Sequence, residues 1–409
     1  MPGSDSPAPP GRPRLRSPLR RHGLVRRPAA IRELTRSRVL RFTEGNRVTL
    51  YENGRTGLAA MLAAIQGAKH HVHLETYILR SDITGRRFLA ALSERARAGV
   101  SVRLLYDAVG SRGIDVMRLE PLRRAGGDIV PYNPLLGLYP SAAPRRRDHR
   151  KILVVDGKLA FTGGLNIADE YDHGPESGEA EWRDAHVQLE GPAVRDLEAV
   201  FLESWFRADG PDLPWLSFLD SPPEPCGDVR CAVLPDGPAY RRRRMRDVLI
   251  SALEHAEQCV ELENPYFAPG RRVLDALGIT SARGVHVQML LTGRTDHPML
   301  RRAARWFMPR LIERGVDVYE YERSMMHAKV AIFDRQWAIL GTSNLDRQSF
   351  EHNQEVNLIL EGGDIGKRLG EHFERNMAHA RHVDMAALGA RGFLERLVDR
   401  AASLLLYFV

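Results

Sequence analysis

The stretch His149-Arg150-Lys151-Ile152-Leu153-Val154-Val155-Asp156 is followed by Gly163-Gly164-Leu165-Asn166, and the chain then writes the same pattern again. The second copy is His327-Ala328-Lys329-Val330-Ala331-Ile332-Phe333-Asp334, followed by Gly341-Thr342-Ser343-Asn344. In each copy Lys stands two residues after His, Asp seven after His and Asn seventeen after His. The residues between are mostly β-branched or apolar, which predicts a buried strand leaving through a turn. Side chains alternate along a strand, so His149 and Lys151 share a face, as do His327 and Lys329. Asp156 and Asp334 lie at odd spacing, on the other face or at the strand end. Parity separates a reactive His–Lys pair from a supporting Asp.

Working outward, the repeat widens. A strand is predicted over 46–51, a helix over 57–68, a strand over 71–78, a helix over 88–98 and a strand over 99–107. The second half repeats the order with a helix over 248–257 and strands over 260–267 and 284–291. Glu75 and Glu263 occupy matching places, as do Gly99 and Gly284, and the offset drifts from 188 to 185 to 178 at the two histidines. That drift is what a duplication with loop insertions leaves behind. Alternating helix and strand predicts an α/β fold used twice. Ser221-Pro222-Pro223-Glu224-Pro225 is the natural linker, giving a first domain over 42–222 and a second over 223–409.

Residues 1–41 hold eleven Arg and two acidic residues, while the rest of the 409-residue chain is close to neutral. Arg mixed with Pro and Ser predicts a disordered basic arm drawn to anionic surfaces, membrane lipid or nucleic acid. The chain is 43% apolar and has no run of eighteen apolar residues, so no transmembrane helix is expected. The N-terminus lacks the apolar core of a signal peptide, which argues for a cytosolic protein. Cys226, Cys231 and Cys259 have no metal-type spacing and read as buried thiols. His70, His71 and His73 read as surface or strand-packing residues. Residues 135–140, 299–311 and 393–409 are apolar segments that suit either a bilayer interface or an ordinary core.

Two His, two Lys and two Asn brought face to face could carry out phosphoryl chemistry. Neutral His is a nucleophile toward phosphorus and protonated His an acid near neutral pH. Lys and Asn supply fixed donors to the equatorial oxygens of the transition state. The Lys pair provides the positive charge, so no metal and no cofactor is required; a zinc site is disfavoured because Lys is not a usual ligand. The two His must rest in opposite protonation states, so each ring needs a carboxylate to orient it. Chain proximity nominates Glu355 for His327, and Asp184 for His149.

The paired stretches resemble the HxKxxxxD motifs of the phospholipase D superfamily, matching at every defining position from about residue 40 onward. Gly163-Gly164-Leu165-Asn166-Ile167-Ala168-Asp169-Glu170-Tyr171 with Trp182-Arg183-Asp184-Ala185-His186 resembles bacterial cardiolipin synthases. So does Gly341-Thr342-Ser343-Asn344-Leu345-Asp346 with Asn353-Gln354-Glu355. Size, and the absence of two N-terminal membrane helices, make the chain most similar to the short B type. The resemblance implies two tandem phospholipase D-like α-β-α lobes related by a pseudo-twofold, with the active site at their interface. It implies a phosphatidyl-histidine intermediate on His149, acid–base work by His327, and a catalytic set completed by Lys151, Lys329, Asp156 and Asp334. Asn166, Asn344 and Ser343 would bind phosphate; Gly164-Leu165 lacks the hydroxyls of Thr342-Ser343, so that contact is missing on one side. Parity still favours a structural role for the two Asp.

The activity expected is phosphatidyl transfer from one phospholipid to phosphatidylglycerol, releasing an alcohol such as glycerol. It would run at the cytoplasmic face of the cell membrane, with a peripheral protein and an anionic lipid surface as partner. A hydrolytic phospholipase D needs the same residues with freer access for water. A nuclease or other phosphodiesterase wants a basic groove, which the near-neutral body does not offer, so no nucleic acid partner is expected although Arg145–Arg147 and Arg241–Arg244 are basic. A silent membrane-bound scaffold would have no use for intact His and Lys in both halves. No partner protein is legible.

Overall fold

The computed structural model describes residues 28–37, 39–135, 144–172, 181–213, 218–219, 221–238, 240 and 244–408, and within these the side chains of 387 and 405–408 are not described. Most of the basic arm (1–27), most of the apolar loop before His149 (136–143) and 241–243 lie outside the described residues.

The first half opens with α1 (Ala29–Arg36), β1 (Thr43–Asn53), α2 (Gly54–Gly67), β2 (His71–Thr76), α3 (Ile83–Arg97) and β3 (Ser101–Asp107). It continues through α4 (Glu120–Arg124), β4 (Asp128–Tyr132), β5 (Ile152–Val155), β6 (Leu159–Gly163), β7 (Arg183–Glu190) and α5 (Val194–Arg207). The second half opens with β8 (Val229–Asp236), α6 (Arg244–His255), β9 (Cys259–Asn264), β10 (Phe267–Ala268), α7 (Arg271–Ala282) and β11 (His286–Arg294). Next come α8 (Pro298–Ile312), β12 (Asp317–Met325), β13 (Val330–Phe333), β14 (Trp337–Gly341), β15 (Leu345–Asp346) and α9 (Arg347–Glu351). It closes with β16 (Glu355–Gly362), α10 (Ile365–Met377), β17 (Ala380–His382), α11 (Met385–Gly389) and α12 (Phe393–Phe408).

Fifteen strands form one sheet, in the order β17-β12-β11-β9-β13-β14-β16-β8-β1-β7-β6-β5-β2-β3-β4. Read outward from the β8–β1 seam, the two sides are the same list, with β17 added at one edge. β1 and β8 pair antiparallel at that seam, so two α/β lobes share a continuous sheet across a pseudo-twofold. The central strands β2 and β9, each parallel to one neighbour and antiparallel to the other, are buried along their whole length, as strands covered on both faces are. Gly99 and Gly284 close the equivalent helices α3 and α7 in the left-handed region, at φ 86° and 88°, where a side chain would be strained. Among the described residues no helix is long and apolar enough to cross a membrane.

The predicted disorder of residues 1–41 does not extend through its last third. Ala30, Ile31, Leu34 and Leu40 are buried in the core of the second half, beside Met245, Val248 and Leu249 of α6. Apolar residues at 30, 31 and 34 form a helical stripe that the surrounding Arg and Pro conceal in a composition count.

Candidate active site

The motif segments are strands for less of their length than predicted. β5 and β13 begin only at Ile152 and Val330, and the residues before them turn to the opposite half. The His149 N–H donates to the Gln354 carbonyl at 2.9 Å, and the His327 N–H to the Arg183 carbonyl at 2.7 Å. Asp148 and Met326 bridge the same two residues, Gln354 and Arg183. Each histidine is thus clipped to the start of the other half's strand, β16 or β7, and both come to the seam.

The imidazoles cross over with the backbone. His149 Nδ1 lies 3.1 and 3.0 Å from the two carboxylate oxygens of Glu355, and His327 Nδ1 lies 2.9 Å from Asp184 Oδ2. The partnership nominated by chain proximity is therefore reversed: each ring is oriented by the half it does not belong to. A carboxylate only accepts, so each ring carries its proton on Nδ1 and turns Nε2 to the site.

Both carboxylates are completely buried. Burial opposes ionisation of Glu355, but attraction to His149 and bonds from His149 and Thr342 outweigh it and hold the carboxyl below its ordinary range. Thr342 Oγ1 donates to Glu355 Oε2 at 2.5 Å and Asn353 Nδ2 to Oε1 at 3.2 Å. The first half has Gly164 where the second has Thr342. A Cβ at 164 would stand 1.9 Å from Asp184 Oδ1, so the missing hydroxyl makes room for the carboxylate.

Burial drives His149 down to about 4, with Glu355 pulling the other way, so it rests as neutral imidazole. Burial also lowers His327, with Lys329 adding to the effect and Asp184 opposing it. Burial brings Lys151 down to about 8 and Lys329 to about 7. The lysines differ in aim. Lys151 Nζ donates to the His149 carbonyl at 2.9 Å and lies over the Tyr77 ring at 5.4 Å. Lys329 Nζ likewise donates to the His327 carbonyl, and in addition lies 3.0 Å from His327 Nε2, within reach to donate to that ring nitrogen. Among the described residues no hydrogen bond reaches His149 Nε2.

Of the predicted phosphate contacts, Asn166 is the most committed elsewhere. Its Oδ1 accepts from Ile78 N at 3.2 Å and its Nδ2 donates to the Tyr171 hydroxyl at 2.7 Å, which leaves one amide proton. Ser343 Oγ accepts from Asn357 Nδ2 at 2.8 Å and keeps its own proton to give. Asn344 is buried, and no described protein group bonds its Oδ1.

Asp156 and Asp334 leave the site and stand at the opposite ends of β5 and β13 from the lysines. Asp156 accepts from the backbone N–H groups of Lys69, His70 and His71 at 2.7–2.9 Å. Asp334 accepts from those of Glu257, Gln258 and Cys259 at 2.7–3.1 Å. Both occupy the left-handed region, at φ 53° and 52°, where Asp and Asn are tolerated best among residues with a side chain. Their membership of the catalytic set is corrected to a turn clamp, as parity indicated.

Four aromatic residues not singled out for the site wall it. The Tyr77 ring meets His149 edge-on at 4.9 Å, while Tyr171, Trp182 and Tyr266 surround His327 at 5.5, 6.3 and 6.2 Å. Their signal is positional: Tyr77 and Tyr266 follow the equivalent strands β2 and β9, and Trp182 directly precedes Arg183-Asp184.

Away from the site, His71 and His73 are buried around Glu198 of α5, the one group of three potential metal ligands among the described residues. His71 Nε2 bonds Glu198 Oε2 at 3.0 Å, and His73 Nδ1 bonds the other oxygen. Arg103 donates to His73 Nε2 at 3.0 Å, which puts the ring proton on Nδ1. A metal on Nδ1 would leave an N–H at Nε2 facing the guanidinium, donor against donor, so these residues fit a carboxylate clamp and not a metal.

A family model described as cardiolipin synthase, PLD-like domain, matches residues 61–173 and again 249–377, one HxKxxxxD motif in each. A cardiolipin synthase of Geobacillus thermodenitrificans is 36% identical over 357 residues, covering 86% of this chain and 70% of that protein. Cardiolipin synthase 1 of Bacillus anthracis is 32% identical over 357 residues, with the same coverage. Among solved structures, the phosphatidylserine synthase of Haemophilus influenzae has a TM-score of 0.68 over 93% of this chain and 97% of its own, at 12% identity. The polyphosphate kinase of Porphyromonas gingivalis has a TM-score of 0.56 over 89% of this chain and 53% of its own, also at 12% identity. Those two bear on the fold alone. The doubled motif, the paired lobes and relatives that match across most of the chain agree: it belongs to the cardiolipin synthase family of phospholipase D-like proteins.

Proposed function

We propose that this chain transfers a phosphatidyl group from one phospholipid, phosphatidylglycerol or a similar donor, to the headgroup hydroxyl of phosphatidylglycerol, making cardiolipin. The observation that carries the mechanism is the crossed pair of imidazoles with unequal Nε2 atoms: that of His149 takes no hydrogen bond from any described residue, and that of His327 lies within hydrogen-bond reach of Lys329 Nζ. His149 Nε2 attacks phosphorus and the bond to the leaving glycerol oxygen breaks. The His327–Lys329 pair delivers a proton to that oxygen, so glycerol departs neutral and phosphatidyl-His149 remains. The acceptor hydroxyl then gives its proton back to the pair as its oxygen attacks phosphorus. The P–N bond breaks and His149 is restored.

An entering phosphodiester carries negative charge and raises the proton affinity of the pair, so the acid is loaded when substrate arrives. Lys151, Asn344 and Ser343 would donate to the non-bridging oxygens. The aromatic walls limit water, which a transferase must exclude. The work would be done by a peripheral protein at a membrane surface.

The test is a product assay with labelled phosphatidylglycerol in mixed micelles, with and without phosphatidylethanolamine, for wild type and His149→Ala. Cardiolipin from wild type alone is expected, and dependence on the second lipid identifies the donor. Phosphatidic acid as the sole product would make the protein a hydrolase, and no lipid product would overturn the proposal.

A further inference from the structure

The last helix is built inside out. α12 rests on α8 through Asp399 and Ala402, which are 2% and 0% exposed. Asp399 bonds Arg391 at 2.5 Å and pairs with Arg302 of α8 at 3.5 Å. Its large apolar side chains among the described ones point the other way: Phe393 is 71% exposed, Leu394 73%, Leu397 49%, Val398 43% and Leu404 51%. These positions form one helical stripe. A helix that merely covered α8 would turn this stripe inward; a contiguous exposed one marks an apolar partner.

Two further features identify that partner. One side of the stripe is bordered by positive charge, with Arg396 and Arg400 exposed on α12 and Arg310 at the end of α8, while Glu395 on the other side pairs with Arg391. The Arg310 and Arg400 guanidinium groups lie 5.1 and 5.8 Å from the Trp306 ring. A second copy of the chain would meet this border with like charge, whereas lipid phosphates meet it with opposite charge. The helix on which α12 rests also leads to the active site. His297, directly before α8, packs on Tyr266 at 5.7 Å, and Tyr266 packs on His327 at 6.2 Å. Met299, in the first turn of α8, is 44% exposed.

We propose that the apolar stripe of α12 and its arginine border are the surface by which this protein lies on an anionic phospholipid bilayer, which sets the mouth of the active site at headgroup level. The advantage to catalysis rests on the lipid-transfer function; the binding does not. The experiment is flotation of the full chain with phosphatidylcholine vesicles, with and without phosphatidylglycerol. Wild type is compared with Leu394→Glu/Leu397→Glu and Arg396→Glu/Arg400→Glu, each first shown by circular dichroism to be folded.

Wild type is expected to float with the anionic vesicles, and each variant to bind on the order of tenfold less or weaker still. The ratio of turnover on vesicles to turnover on short-chain monomeric lipid should fall in parallel. The basic arm is the same in all three proteins. Unchanged flotation of the leucine variant would overturn the proposal. So would a wild-type dimer, seen by sedimentation, that the leucine variant dissolves without loss of flotation. Loss of flotation in the variants with no cardiolipin from wild type would leave the docking surface standing and remove the transfer function. Cardiolipin synthesis with undiminished variant flotation would do the reverse.

Discussion

Glu355 faces His149 and also raises the proton affinity of Lys151. Replacing it by Gln keeps the shape and removes the charge. Neutral His149 is the attacking form, so the acid limb of a pH–rate profile follows its protonation; wild type, with His149 at about 4, should have that limb below the ordinary value of 6.5. Without the carboxylate, the imidazolium and the ammonium both lose stabilisation, and both affinities fall. Glu355→Gln should therefore shift the acid and basic limbs to lower pH and cut turnover on the order of a hundredfold, as read with short-chain lipid. A limb that moved upward would show that Glu355 does not act through His149. The His and Lys of this site, and the motif Asp outside it, are legible in the sequence because their spacing is local. The crossed carboxylates are not, since the contacting residues are 206 and 143 positions apart and lie in opposite halves. Only the closure of the fold at the seam decides between the two pairings.

At the scale of elements, the strand-and-helix alternation was legible because the outer part of each lobe is parallel strands, β2–β3–β4 and β9–β11–β12, with apolar runs joined by Gly-terminated helices. Where β5 and β13 begin was not, because the residues before them find backbone partners in the other half. The motif aspartates belong to this scale. Asp334 ties the turn after β13 to the start of β9 through three backbone N–H groups. Asp334→Ala removes the acceptor and puts Ala in the left-handed region, and should cost about 2 kcal/mol of stability in urea unfolding. Asp334→Asn tolerates that backbone and keeps one acceptor oxygen, so it should cost about half as much. Unchanged stability with lost turnover in the Ala variant would instead place this aspartate in the chemistry.

At the scale of the molecule, charge and core both tie one half to the other. His372 of α10 lies 3.0 Å from Glu263 of β9 and 3.6 Å from Glu52 of β1, so it touches both lobes. Burial works against its charge, but Glu263 and Glu52 outweigh it and hold the ring up at about 9, against 6.5 ordinarily. A group with a raised folded value stabilises fully below its unfolded value and loses that contribution as pH rises through the folded one. Wild type should therefore exceed His372→Gln by on the order of 3 kcal/mol near about pH 6, with the gap closing toward about pH 9. A gap independent of pH would mean that His372 is neutral. The N-terminal segment makes the other tie. Although it precedes the first lobe, α1 packs on α6 of the second, with Ile31, Leu34 and Leu40 buried. Glu33 pairs with His255 at 3.1 Å, and the Val39 carbonyl accepts from Arg244 at 2.8 Å. A chain begun at residue 28 keeps all of this, and one begun at residue 42 loses it and uncovers Met245, Val248 and Leu249. The first should unfold in urea like the full chain. The second should be less stable by on the order of 5 kcal/mol, the burial of three large apolar side chains, and should fail first in the second lobe, to which α1 does not belong in sequence. Equal stability of the two truncations would mean that α1 is an ornament on the core and not part of it.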